Sequence, residues 1–204
     1  MNAIIHNIYT ILQASRILMF DNKNEDYEYT IGGSSFLVKI EEFLFAITAK
    51  HVLENNHYSP DDVLIRYNEE SRYFLPFEKI FYIDTDDTND TDHKDVVFLK
   101  VAKSLLNAKI DTGFIIKLPH KRSLPRLDCE KLLITGFPKD LSRIDYERKH
   151  IKTVRKPLIA SNPNFSQYRG LFSFQYEQNT AEDLNFNGLS GSPVFCLLIS
   201  AKNR

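Results

Sequence analysis

The chain has 204 residues, 43% of them hydrophobic and 26% charged, with a net charge of -1 at neutral pH. That apolar content supports a sizeable core and excludes a disordered tail. The even charge balance excludes a nucleic-acid groove or a membrane-surface patch as the main partner. Length alone fits one large domain or two small ones packed together.

Only two cysteines occur, Cys129 and Cys196, far apart in sequence. The first residues show no basic stretch, continuous apolar run or small-residue cleavage site of a secretory signal. Two free thiols in a reducing, cytoplasmic compartment are therefore expected. Charged or polar residues interrupt every apolar run before membrane-spanning length, so no membrane partner is expected either.

In chain order, Ala3 to Leu18 comes first, with apolar residues at Ile4, Ile5, Ile8, Ile11, Leu12 and Ala14. Steps of three and four predict a helix, assigned to residues 1–15, that packs on the body. Strands are then predicted at Arg16–Phe20, Gly33–Ile40, Phe43–Thr48, Val63–Tyr67, Tyr73–Ile83 and Val96–Val101. They are short, rich in β-branched and aromatic residues, and separated by polar turns. Six such strands with no helix between them predict a closed antiparallel barrel over residues 16–105.

A connector over 106–125 follows, with Gly113, Pro119 and the basic residues Lys117, His120, Lys121 and Arg122, read as a solvated face. A second set of strands, Lys131–Phe137, Lys149–Ala160, Arg169–Glu177 and Pro193–Ile199, predicts a second, partial barrel over 126–204.

Three segments carry residue types that together do chemistry. In Thr48-Ala49-Lys50-His51 a strand ends in a histidine. In Lys94-Asp95-Val96-Val97-Phe98-Leu99 an aspartate stands at the mouth of an apolar strand. In Gly188-Leu189-Ser190-Gly191-Ser192-Pro193 a serine sits in a Gly-rich turn before a strand. Each alone is weak, because isolated histidines are more often surface or core residues and such aspartates are often turn formers. Their joint occurrence in the order His, Asp, Ser is what a chymotrypsin-type triad requires.

With these residues in view, the sequence resembles the trypsin-like, chymotrypsin-fold serine peptidases, specifically the intracellular bacterial kind that lacks a zymogen signal. Gly32-Gly33-Ser34-Ser35-Phe36-Leu37-Val38 is similar to the family's Gly-x-Gly-Phe-Leu-Val strand, and Thr48-Ala49-Lys50-His51 to its Thr-Ala-x-His. Gly188-Leu189-Ser190-Gly191-Ser192-Pro193 is similar to its Gly-x-Ser-Gly-Gly-Pro, and Gly136-Phe137-Pro138 to a strand end of its second barrel. The intervals from 51 to 95 and from 95 to 190 are close to the family's usual ones, and the resemblance spans nearly all of the chain after residue 16.

The resemblance implies an all-β fold of two antiparallel barrels with the triad His51, Asp95 and Ser190 between them. It implies peptide-bond hydrolysis through an acyl-enzyme, with a protein or peptide substrate and no cofactor or metal. A serine hydroxyl is a poor nucleophile until a base takes its proton. An imidazole, titrating near neutrality, can take that proton and return it to the leaving amine. A buried Asp95 would hold the imidazole tautomer. The backbone N–H groups of Gly188 and Ser190 would face the developing oxyanion. Leu184 and Asn187 of the preceding turn would contact substrate, and Asp183 could receive a basic side chain.

Two departures follow. Leu189 stands where activated secreted members carry an acid that pairs with a new N-terminus. Beyond Ser190 the sequence runs only from 191 to 204, whereas the resemblance implies two further strands. Those strands would close the second barrel and pair with substrate backbone. Weak or absent turnover of generic peptides by residues 1–204 alone is therefore expected, with a partner protein or further C-terminal segment completing the barrel. The rival reading is a non-catalytic module of the same fold, kept for binding or regulation.

The remaining signals are bland. The acidic run Asp84 to Asp92 lacks the sixth-position glycine and twelfth-position glutamate of an EF-hand loop and reads as a solvated loop. The six histidines and two cysteines show no zinc-ligand spacing.

Overall fold

The computed structural model describes residues 11–55, 57–83, 95–104, 115–118, 131–148, 150–165, 172–177 and 185–197. The first unit contains strands β1 (Ser15–Asp21), β2 (Tyr29–Ile40), β3 (Phe43–Thr48), β4 (Val63–Leu64), β5 (Phe77–Tyr82), β6 (Val97–Val101) and β7 (Ile116–Leu118). One short helix, α1 (Lys50–Glu54), interrupts them. Strand order is β4-β1-β2-β3-β6-β5, antiparallel throughout, and β7 adds in parallel to the end of β2.

Alternation explains the central strands. In β3, Leu44, Ala46 and Thr48 are buried, and in β6 Val97, Leu99 and Val101 are. Residues two apart share a face, so both strands send one row into the same interior. The other row carries aromatic residues: Phe45 meets Phe43, Phe81 and Phe98. The interior gathers Leu18, Phe20, Leu37, Val63, Ile65 and Leu75 with the β3 and β6 residues. Each such side chain contributes about 1.5–3 kcal/mol on burial.

The sheet curls on itself. β4 pairs with β1, and β5 with β6. Between β4 and β5 the chain forms its own ladder, with Leu75 N–H donating to Ile65 O at 2.7 Å and Arg66 bridging Phe74. The two ends of the sheet are thus joined by residues 65–75.

The second unit holds β8 (Lys131–Gly136), β11 (Lys156–Phe165), β12 (Phe172–Tyr176) and β13 (Val194–Leu197), ordered β12-β11-β8-β13. A separate hairpin pairs β9 (Arg143–Asp145) with β10 (His150–Lys152). No described strand joins β12 to β13.

β1 is buried on both faces. Leu18 and Phe20 enter the first core, while Ile17 and Met19 pack with Phe137 at the end of β8. This is one of the contacts between the two units. A register shift between Leu18 and Met19 skips Gly32, where an added Cβ would come 2.2 Å from the Phe20 ring.

Several expectations are corrected. Backbone is already extended at Ser15, so the helical spacing seen from Ala3 does not continue to Leu18. Residues 1–10 lie outside the described residues. The expected Val63–Tyr67 and Tyr73–Ile83 strands are β4 and β5, shortened by the joining ladder. The segment Lys149–Ala160 contains two strands, β10 and the start of β11, separated at 153–155. The connector contains β7, in which Lys117 is exposed, and α1 stands where no helix was expected.

Candidate active site

His51 is placed by the end of β3. Thr48 pairs with Val97, the first residue of β6, so the chain leaving β3 and the chain entering β6 lie side by side. Ala49 is extended, α1 starts at Lys50, and the helix buries Val52 and Leu53 in the barrel core. Lys50 N–H donates to the Asp95 carbonyl at 3.2 Å. His51 and Asp95 are therefore neighbours because β3 and β6 are.

Asp95 grips His51 twice. Its Oδ1 accepts the His51 backbone N–H at 2.8 Å, and its Oδ2 lies 2.6 Å from His51 Nδ1. On the other side of the ring, Nε2 lies 2.8 Å from Ser190 Oγ. An ionised carboxylate only accepts, so Nδ1 carries the proton and donates to Asp95. Nε2 is then the acceptor, and the Ser190 hydroxyl donates to it. The three residues named from sequence stand in one hydrogen-bonded line.

The expectation that Asp95 is buried is corrected. Its side chain is 39% exposed, and that of His51 is 43% exposed. Among the described residues both Asp95 oxygens are engaged by His51 alone.

Ser190 sits between two glycines of positive φ, Gly188 at 91° and Gly191 at 82°. A side chain at either is strained, and at Gly191 an added Cβ would lie 2.1 Å from Ser34 O. Leu189 N–H donates to Phe186 O and Ser192 N–H to Leu189 O, which closes the turn.

The backbone N–H groups of Gly188 and Ser190 make no backbone hydrogen bond among the described residues. The peptide planes that carry them are nonetheless fixed from their carbonyl sides. Asn187 O accepts Lys139 N–H at 2.8 Å, and Leu189 O accepts Ser192 N–H at 2.9 Å. In a trans peptide the N–H points opposite to the carbonyl, so these bonds aim both donors.

Asn187 is exposed at the turn, and its own N–H donates to Asn185 Oδ1 at 3.0 Å. Leu184, Asp183 and Cys129 lie outside the described residues, as do the acidic run 84–92 and His93. Of Cys196 only the backbone, in β13, is described. Among the described residues no three His, Cys, Asp or Glu side chains cluster to hold a metal ion. No described helix is long and apolar enough to cross a membrane.

In the sequence, Ser34, Thr48 and Phe137 stand out only as parts of motifs. The structure brings them under the nucleophile turn, as does Lys139. Their motif positions were the one available signal.

No protein-family model matches the sequence, and no curated protein does either. Solved structures match in fold. The scabies mite inactivated protease paralogue S-D1 superposes with a TM-score of 0.55 at 13% identity, over 95% of this chain and 84% of that one. The scabies mite inactivated protease paralogue S-I1 gives a TM-score of 0.48 at 13% identity, over 91% of this chain and 79% of that one. With the strand order above, the chain has an all-β, chymotrypsin-like fold.

Proposed function

We propose that the protein is a serine endopeptidase that hydrolyses peptide bonds through an acyl-enzyme. One observation carries the reading: Ser190 Oγ, His51 Nε2, His51 Nδ1 and Asp95 Oδ2 form a continuous line with contacts of 2.8 and 2.6 Å. Ser190 Oγ attacks the scissile carbonyl carbon while His51 Nε2 takes the hydroxyl proton. The carbonyl oxygen becomes an oxyanion against the N–H groups of Gly188 and Ser190, each such donor being worth about 10²–10³ in rate. Collapse expels the amine, which takes the proton from His51, and water then repeats the sequence on the ester. Asp95 holds the ring in the required tautomer throughout. Leu184 and Asn187 would contact the substrate beside the nucleophile. Leu189, where an acid would pair with a trimmed N-terminus, supports a site that forms without zymogen cleavage.

The test is covalent. A fluorophosphonate probe should label the purified protein once, on Ser190, with loss of fluoride, and Ser190→Ala should abolish labelling. Labelling that survives Ser190→Ala would refute the mechanism.

A second reading is a non-catalytic module of the same fold, favoured by the scabies mite S-D1 structure being named an inactivated protease paralogue. No labelling of the folded wild-type protein would decide for it. Labelling without turnover of generic peptides would instead fit a peptidase that needs a further segment or partner.

A further inference from the structure

We propose that Ser34 is a positioning residue for the nucleophile turn, an inference that rests on the peptidase reading above. Ser34 lies on β2, fully buried, and every polar group it owns is used. Its N–H donates to Ser190 O at 2.9 Å, and its hydroxyl donates to Gly188 O at 2.7 Å. The same Oγ accepts Phe137 N–H at 2.9 Å, and Ser34 O accepts the Thr48 hydroxyl at 2.8 Å. One residue thus ties the turn bearing Ser190 to the end of β8 and to the end of β3, from which His51 departs.

The turn needs such a tie. Glycines at 188 and 191 give the backbone around Ser190 unusual conformational freedom, which the turn's own hydrogen bonds and the bonds to Ser34 restrain together. Ser34 fixes the carbonyls of Gly188 and Ser190, the first and third peptide groups of the stretch that carries the nucleophile. Its N–H bond is backbone and survives substitution. The hydroxyl bond to Gly188, a residue whose N–H is one of the two oxyanion donors, does not. The residue touches no substrate, so its effect is on geometry: a misplacement of about 1 Å can cost about 10²-fold in rate.

The neighbouring Ser35 provides the control. It is equally buried, on the same strand, and its hydroxyl donates away from the site to Arg16 O at 3.4 Å. Ser34→Ala, Ser35→Ala and wild type would be compared for the rate of fluorophosphonate acylation and its pH profile. Amide hydrogen exchange at Leu189 and Ser192, whose N–H groups close the turn, would be followed in parallel. Ser34→Ala should acylate about 10- to 100-fold more slowly. Its pH midpoint should be unchanged, because the His51–Asp95 contact is untouched, and exchange at 189 and 192 should be faster. Ser35→Ala should match wild type in all three.

Equal acylation and equal exchange in Ser34→Ala and wild type would overturn the proposal. So would equal slowing in both variants, which would mark a general packing loss. If wild type does not acylate, the peptidase reading fails, and exchange alone still decides whether Ser34 holds the turn. Should Ser34→Ala not fold, Ser34→Cys keeps the shape with a much weaker donor and is read by the same two measurements.

Discussion

Asp95 holds His51 by its backbone and by its ring at once, through Oδ1 to the N–H at 2.8 Å and Oδ2 to Nδ1 at 2.6 Å. The first bond fixes where α1 begins, and the second fixes which ring nitrogen carries the proton. Asp95→Asn separates these roles. Its amide oxygen can still accept the His51 N–H, but its NH₂ then faces Nδ1 and forces the proton onto Nε2. The ring can no longer take the Ser190 proton. We expect acylation by a fluorophosphonate to fall about 10³–10⁴-fold, with the melting temperature nearly unchanged. A loss below tenfold would mean that Asp95 does not orient the base.

Gly191 is expected to tolerate no side chain. At φ 82°, an added Cβ lies 2.1 Å from Ser34 O and 2.4 Å from Thr48 Oγ1, both held in the hydrogen bonds described above. Neither neighbour is the free end of a flexible side chain. Gly191→Ala should lower stability by about 3 kcal/mol or more, combining backbone strain with a forced shift of β2. Urea denaturation would read this, and a midpoint within error of wild type would show that the turn lifts off Ser34 at little cost.

What the sequence disclosed follows from the range of the interactions involved. β3 is legible to the residue because Phe43–Thr48 is rich in apolar and aromatic residues and Leu44, Ala46 and Thr48 form one buried row, although Ile47 of the other row is buried as well. β1 begins at Ser15, one residue before the expected strand at Arg16–Phe20, and both its faces are buried, so Ile17, Leu18, Met19 and Phe20 show no alternation. β7 and β9, with three residues each, are too short to leave a pattern. The His, Asp and Ser segments were legible because each pairs a rare chemical type with a distinctive local turn. The Ser34 hub was not, since its partners Phe137 and Gly188 are 103 and 154 residues away and every one of its bonds involves a backbone atom. Nor was the exposure of Asp95, which depends on what packs over the mouth of β6.

Ser192 carries an opposite expectation. Its hydroxyl is buried beside Gly136 and has no hydrogen-bond partner among the described residues. A buried polar group without a partner costs about 1–3 kcal/mol. Ser192→Ala removes it while keeping the backbone N–H that donates to Leu189 O. Stability should be unchanged or rise by up to about 1 kcal/mol, and acylation of Ser190 should stay within twofold. A clear drop in melting temperature would mean that the hydroxyl is bonded in solution.

Away from the site, Asp62 gives the fold a pH dependence of known sign. The Lys23 ammonium and the N–H and hydroxyl of Ser59 all donate to its carboxylate. These bonds, the one from Lys23 foremost, hold Asp62 below the usual carboxylate range. A group whose folded pKa is depressed stabilises the fold while ionised. Its contribution is complete well above the unfolded carboxylate value of about 3.9, and is lost as pH falls through that value towards the folded one. Lys23 shifts the other way, upward, but its side chain is 68% exposed, so salt screens its part of the pair. Asp62→Asn should therefore melt a few degrees below wild type at about pH 7, with the gap constant down to about pH 6. Below about pH 4 the gap should narrow, and it should close only below the depressed folded value, where the folded wild-type carboxyl is neutral too. Lys23→Met should show a smaller loss that shrinks further in high salt, since Ser59 still engages the carboxylate. Thermal melts of the three proteins between about pH 3 and 7 would decide it, and a gap for Asp62→Asn as wide at the acid end as at neutrality would show that charge is not what this carboxylate contributes.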